Sequence, residues 1–226
     1  MITTVVFDVD ETLVDLRPAV TGALETVLAE LRRLTPRADD LTLADFEADW
    51  AVAFAADPAA PVTRIRRAAL ARSLDRIDLP DELDRIAELF FTRRYALSRP
   101  FADTLPALAR LRRRYAIGLA TNGNSRADRC GLRGQFSFEV YAHVGGLPKK
   151  PDRRFYDAVL TAAGATAADR VVYVGDSIPH DVLGPQAAGL RAIWLNRSGV
   201  PRPREARPDG EISSLADLPD AVADLP

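Results

Sequence analysis

The run Phe7-Asp8-Val9-Asp10-Glu11-Thr12-Leu13 places two carboxylates two residues apart, directly after the short β-branched stretch Ile2 to Phe7. A stretch of that composition reads as a strand buried on both faces, as in a parallel sheet. Asp8 and Asp10 then fall at the carboxyl edge of the sheet, where open α/β folds bind ligands. Two anions this close repel, and a divalent cation or a shared proton relieves the repulsion. Read alone, the pair fits a solvated turn after a strand equally well, since Asp is common there. A second acidic strand end follows at Val174-Gly175-Asp176-Ser177-Ile178-Pro179-His180-Asp181. Asp176 would complete an oxygen-rich site for a hard cation such as Mg2+; the structural alternative makes Asp176 or Ser177 only the N-cap of the next helix. Two acid-terminated strands in one chain favour the metal site more than either does alone. Thr121-Asn122-Gly123 ends another apolar run and offers a hydroxyl, an amide and backbone N–H groups as a small anion cradle. Lys149-Lys150-Pro151-Asp152 precedes a helical pattern and, by itself, reads as solvated charge.

The elements that must position these residues alternate. Strand-like runs recur at Tyr115 to Ala120, Arg170 to Val174 and Arg191 to Leu195, with a weaker one at Phe138 to Ala142. Helical periodicity fills Thr104 to Arg114, Asp152 to Ala163 and a stretch from Pro179 to Gly189, and a last short element lies near Glu211 to Ser213. This alternation predicts an α/β fold with a parallel, Rossmann-like sheet flanked by helices. Leu16 to Arg99 breaks the pattern. It holds no convincing strand and four helical stripes: Val20 to Leu34, closed by Pro36; Leu43, Phe46, Trp50 and Phe54, with Thr42 as N-cap; Val62 to Ile77; and Leu83 to Phe90. The expected organisation is an α/β core of residues 1–15 and 100–226, with an all-helical subdomain, 16–99, inserted after the first strand. Pro201 to Pro208 reads as a surface loop.

The 226 residues are 47% hydrophobic and 27% charged, ample for a core and incompatible with whole-chain disorder. Thirty basic and 32 acidic residues leave a net charge of −2, so no global positive field exists to hold nucleic acid or an anionic membrane. The single cysteine, Cys130, excludes an intramolecular disulfide framework and cysteine-rich zinc modules, and reads as an ordinary helix residue. No apolar run is long enough for a transmembrane helix, and the N-terminus lacks a basic n-region, which predicts a cytoplasmic protein. The bland reading prevails for His143 as a strand end, for His180, for the Phe46–Trp50–Phe54 stripe as helical core, and for Arg64, Arg66, Arg67, Arg72 and Arg76 as mostly a solvated helix face. GxxxxGK[ST] and GxGxxG are missing, which argues against P-loop and dinucleotide enzymes.

Taken in order, the four pieces resemble the haloacid dehalogenase superfamily. Its pattern is DxDxT after strand one, Thr or Ser after strand two, a Lys before a helix, and an acidic strand end of the GDxxxxD type. Here these are Asp8-Val9-Asp10-Glu11-Thr12, Thr121, Lys150 and Gly175-Asp176 with Asp181, and the helical insert looks like the family's type-one cap. The resemblance implies that Asp8 is a nucleophile that forms an aspartyl phosphate and that Asp10 is the general acid and base. It implies that Thr121, Asn122 and Lys150 bind the substrate phosphate. Mg2+ would sit between the Asp8 carboxylate, the Asp10 backbone carbonyl and Asp176, with Thr12 and Asp181 in support. Lys150 is preferred to Lys149 because the family lysine lies directly before Pro. Dehalogenases of the superfamily lack the second Asp, so Asp10 favours phosphoryl transfer. Glu11 stands where many members carry Gly. The implied activity is a Mg2+-dependent phosphatase of a small phosphorylated metabolite, without nucleic acid or membrane partners. A phosphomutase, or a non-catalytic phosphate-binding protein on the same scaffold, is the alternative, and monomer against homodimer stays open.

Overall fold

The computed structural model describes residues 1–225. The chain divides into two compact units, Leu16–Arg99 on one hand and Met1–Asp15 with Pro100–Pro226 on the other.

The first unit is all helical. Its helices are α1 (Leu16–Leu34), α2 (Leu43–Ala56), α3 (Val62–Asp75) and α4 (Leu83–Leu97). In α1, Ala23, Leu24, Val27, Leu28 and Leu31 recur at the three-to-four spacing that puts them on one face. That face meets Phe46, Leu70, Leu74, Ile86, Ala87 and Phe90 from the other three helices in one apolar core. Arg32 and Arg33 sit at the carboxyl end of α1, where basic side chains suit the helix dipole. Thr42 starts α2, and the Asp45 carboxylate accepts from its backbone N–H at 2.9 Å. The expected aromatic stripe is only partly core: Phe46 is buried, but Phe54 is 44% exposed because the stripe drifts off the packed face.

The second unit is α/β. Its strands are β1 (Thr4–Phe7), β4 (Ala116–Thr121), β5 (Phe138–Tyr141), β6 (Val171–Gly175), β7 (Arg191–Leu195) and β8 (Gly210–Ile212); two-residue strands β2 (Val14–Asp15) and β3 (Arg99–Pro100) mark where the chain passes between units. The six form one sheet in the order β5-β4-β1-β6-β7-β8, and every pairing in it is parallel. β1 is therefore central, and both of its faces are covered, which is why Val5, Val6 and Phe7 are apolar without alternation. Helices α5 (Thr104–Leu111), α6 (Arg153–Ala162), α7 (Gly184–Ala187) and α8 (Leu218–Ala223) complete the unit. Phe155, Tyr156 and Val159 of α6 pack on Val6, Ala120, Val171 and Tyr173, alternate residues of the three central strands.

Three expectations are corrected. The helix expected over Thr104 to Arg114 ends at Leu111, whose carbonyl accepts from Arg114 and Tyr115 in a closing turn. The helix expected from Pro179 begins as a π-helical turn over Ile178–Leu183. Cys130 follows a single 3-10 turn rather than lying in a helix, and it is fully buried. No helix among the described residues is long and apolar enough to cross a membrane.

Candidate active site

Parallel pairing dictates which residues meet. Phe7 is in register with Leu119 of β4 and Val174 of β6. The residues that follow these three strands therefore emerge together at one carboxyl edge: Asp8 after β1, Thr121 at the end of β4, and Asp176 after β6. The chain leaves β1 toward β4 and β5, then returns to β6 on the other side, so this edge is the topological switch point of the sheet. Asp8 extends the ladder by one step, its N–H donating to the Val174 carbonyl at 2.9 Å.

The loop after Asp8 is tight. The Val9 carbonyl accepts from the N–H groups of Leu13 and Val14 at 2.9 Å each. Glu11 takes a left-handed conformation with φ of 62°, which explains why glycine suits that position. The Thr12 hydroxyl donates to Asp176 Oδ1 at 3.1 Å, tying the first acidic strand end to the second. Trp194 Nε1 donates to the Asp176 carbonyl at 2.8 Å and holds that loop from β7. Behind the Thr12 loop, the Arg197 guanidinium donates to the Thr12 carbonyl at 3.0 Å and to both oxygens of Asp103 at 2.9 Å.

Lys150 is the hub. It lies just ahead of α6, is 4% exposed, and its Nζ donates to Asp8 Oδ1 and Asp181 Oδ1, each at 2.7 Å, and to the Tyr173 hydroxyl at 3.0 Å. Tyr173 passes its own proton toward the Ala120 carbonyl at 2.5 Å. The other oxygen of Asp181 accepts from the Ser177 N–H at 2.9 Å, a bond that the π-turn makes possible by bending Asp181 back to the strand end. Any side chain at Gly175 would overlap the Asp181 carboxylate, so the glycine permits this approach.

The β4 edge supplies Thr121, Asn122 and Ser125. Thr121 Oγ1 accepts from the Gly123 N–H at 3.0 Å. The Asn122 amide grips the Lys150 backbone in both directions, accepting from its N–H at 2.7 Å and donating to its carbonyl at 3.0 Å. Ser125 Oγ donates to Asp10 Oδ1. A Cβ at Gly123 would strike the other Asp10 oxygen, so the glycine leaves room for the carboxylate that Ser125 holds.

The charges do not balance. Carboxylate oxygens of Asp8, Asp176 and Asp181 lie within 4.8 Å of one another, and one ammonium, that of Lys150, lies among them. Burial opposes the charge on Lys150, but Asp181 and Asp8 outweigh it and hold the proton well above the usual lysine range. Burial raises the Asp8 carboxyl, Lys150 works against that rise, and Asp181 adds to it. Asp176 is pushed up to about 7, by burial first and then by Asp8 and Asp181. His180 is pulled down by burial and by Lys150, and its Nδ1 lies 3.1 Å from Ser177 Oγ. A buried trio of hard oxygen donors with surplus negative charge fits a hard divalent cation.

The expected site residues Asp8, Asp10, Thr12, Thr121, Asn122, Lys150, Asp176 and Asp181 all lie at this edge. Asp10 differs from the other acids in that its carboxylate meets Ser125 rather than the three-carboxylate cluster. Ser125, Tyr173, Trp194 and the Asp103–Arg197 pair escaped sequence reading. Tyr173 reads as plain strand core. Ser125 carried a usable signal, a hydroxyl four residues past Thr121 on the same strand end.

Two curated relatives align over part of the chain. The pyrimidine 5'-nucleotidase YjjG of Escherichia coli is 32% identical over 142 residues, 61% of this chain and 63% of that protein. The phosphoserine phosphatase of Thermus thermophilus is 36% identical over 146 residues, 62% of this chain and 57% of that protein. These matches thus span less than two thirds of each relative. Among solved structures, a 2-haloacid dehalogenase from Pseudomonas syringae pv. Tomato superposes with a TM-score of 0.82 at 30% identity, covering 99% of both chains. The hydrolase family model that describes haloacid dehalogenase-like hydrolases matches residues 2–189, which takes in the whole carboxyl edge from Asp8 to Asp181, and this chain belongs to that family.

Proposed function

We propose that the protein is a Mg2+-dependent phosphatase of small phosphorylated metabolites that works through an aspartyl phosphate on Asp8. The observation that carries the reading is Asp10. A second acid two residues past the nucleophile position, held by Ser125 in the space that Gly123 leaves, equips the site to protonate an alkoxide leaving group. Displacement of halide by a carboxylate forms an ester and releases a halide ion, a weak base that needs no such acid. Relatives named as a nucleotidase and a phosphatase support the same reading.

Each residue then has a task. The Asp8 carboxylate attacks phosphorus, and the bond from phosphorus to the leaving oxygen breaks as Asp10 gives that oxygen its proton. Asp10, now a carboxylate, takes a proton from water as the water oxygen bonds to phosphorus, and the phosphorus bond to Asp8 breaks to release phosphate. Lys150 favours the ionised form of Asp8 against the effect of burial and offsets charge on the phosphoryl oxygens. Thr121 and the backbone N–H groups after it cradle those oxygens. Asp181 and Tyr173 fix Lys150, while Asn122 holds the Lys150 backbone rather than reaching for substrate itself. Asp8 and Asp176 would hold Mg2+, with the Asp10 carbonyl as the family pattern implies; when bound, the ion supplies the positive charge that lets an anionic nucleophile approach an anionic phosphate. The helical unit is read as a cap that governs substrate entry.

One observation favours a second reading. The Pseudomonas syringae structure that matches along the full chain is described as a 2-haloacid dehalogenase. Assay of purified protein separates the two: Mg2+-dependent phosphate release from a panel of phosphate esters, with no halide release from 2-chloropropionate, supports the phosphatase. Halide release without phosphatase activity overturns it.

A further inference from the structure

The helical unit contains a buried cation that packing does not explain. Arg66 of α3 is 8% exposed. Its guanidinium carbon lies 4.1 Å from the ring centre of Trp50 on α2 and 4.9 Å from that of Phe90 on α4. Neighbouring arginines have carboxylates: Arg67 meets Asp84 at 2.6 Å, and Arg76 meets Asp49 at 2.8 Å. Among the described residues, Arg66 has no carboxylate or carbonyl within hydrogen-bond distance. Its nitrogens are nonetheless absent from the fully enclosed, unpartnered side-chain atoms, so the fork keeps an edge that solvent reaches.

A buried charge is costly unless it is paired, and stacking on aromatic faces recovers only part of that cost. Both rings lie against the guanidinium and offer its N–H groups no acceptor oxygen. Arg94 on α4 adds a second positive charge nearby. Burial first, and Arg94 second, pull the Arg66 pKa down to about 10, so the cation is held where its surroundings disfavour it. A planar donor fork held against two rings, with a second guanidinium nearby, matches the two oxygens of a carboxylate or a phosphate group.

We propose that the helical unit carries an oxyanion-binding site centred on Arg66 and oriented by Trp50 and Phe90. The oxyanion belongs either to the substrate, as a group other than the reacting phosphoryl, or to a free anion that binds as an effector. The first source rests on the phosphatase reading; the site itself does not.

The test uses the intrinsic fluorescence of the full-length protein, because Trp50 borders the site. Malonate and sulfate are titrated into wild type, Arg66→Met and Arg66→Lys, with chloride at matched ionic strength as the control and circular dichroism to check folding. Wild type should respond saturably, Arg66→Met should lose at least about tenfold in affinity, and Arg66→Lys, which keeps the charge but not the fork, should fall between. A wild type with no saturable response, or an Arg66→Met that responds like wild type, overturns the site. If Arg66→Met does not fold, Arg66→Lys with wild-type affinity overturns it. A second arm compares kcat/KM for phosphate esters with and without a carboxylate. Selective loss for the carboxylate-bearing esters in Arg66→Met assigns the anion to the substrate. Loss of malonate binding without that selectivity assigns it to a free anion. A wild type that cleaves no phosphate ester refutes the phosphatase reading, and the titration still decides the site.

Discussion

Two buried carboxylate clusters, one in each unit of the molecule, are built on opposite principles. In the helical unit, Asp49 is 3% exposed and faces a surplus of donors: Arg76 at 2.8 Å, Arg72 at 3.4 Å and the Ser73 hydroxyl at 2.7 Å. Arg76 also reaches Asp45 at 3.6 Å, so two carboxylates meet two guanidiniums, and the cluster joins α2 to α3. At the sheet edge the ratio is inverted, with Asp8, Asp176 and Asp181 around the single ammonium of Lys150. A balanced buried cluster fastens helices. One left with surplus negative charge suits a cation. The difference in charge count, rather than burial, separates structural from chemical ion pairs here.

Breaking the sheet-edge cluster should remove chemistry and spare the fold. Asp8→Asn is nearly isosteric but is a poor nucleophile. It should lower Mg2+-dependent phosphate release by about 10^3-fold or more while the melting temperature stays within a few degrees of wild type. Next in size, Asp176→Asn should weaken Mg2+ affinity by about 10- to 100-fold, measured by activity against Mg2+ concentration, with kcat partly restored at saturating ion.

The helical cluster should behave in the opposite way. Asp49→Asn strands two arginines on a neutral amide. It should cost about 1–3 kcal/mol in urea unfolding and leave kcat/KM for a small aryl phosphate within about threefold of wild type. Equal losses of stability and activity in both variants would erase the distinction between the clusters.

The pH dependence of stability sharpens the comparison further. The Asp176 pKa in the folded protein, about 7, lies above its ordinary value of 3.8. Its proton is bound more tightly by the folded state. The stability it contributes is therefore fully present below about pH 4 and is lost as pH rises through about 7. Mg2+ competes with that proton, so the rise in melting temperature on adding Mg2+ should grow from pH 5 to pH 8 and flatten in Asp176→Asn. Among the sheet-edge variants the smallest effect is expected from Arg197→Met, which frees the Thr12 carbonyl and Asp103 without touching an acid of the site. It should lower kcat by about tenfold or less with little change in Mg2+ affinity.

The sequence made the sheet-edge acids legible because their chemistry is local. A β-branched run followed by Asp announces a strand end at Phe7 and again at Val174. Parallel pairing then places those ends side by side without further information. Other features depend on residues distant in sequence. Arg66 sits in a basic helix whose periodicity looks solvated, and only the approach of Trp50 and Phe90 from two other helices buries it. Tyr173 occupies an ordinary core position in β6, and nothing local says that its hydroxyl will meet Lys150, 23 residues earlier in the chain. The π-turn after Ser177 brings Asp181 to Lys150 and to the Ser177 N–H, an arrangement that helical spacing does not encode.

The central claim is that Asp8 carries a phosphoryl group during turnover. The most direct test is to mix the protein with Mg2+ and a phosphate ester that it cleaves, quench in acid within the first turnovers, and map the modification by mass spectrometry. The account predicts the mass of one phosphoryl group on the peptide containing Asp8, discharged by hydroxylamine, absent without Mg2+ and absent in Asp8→Asn. Phosphate release at an undiminished rate by Asp8→Asn, with no adduct on wild type, would contradict it.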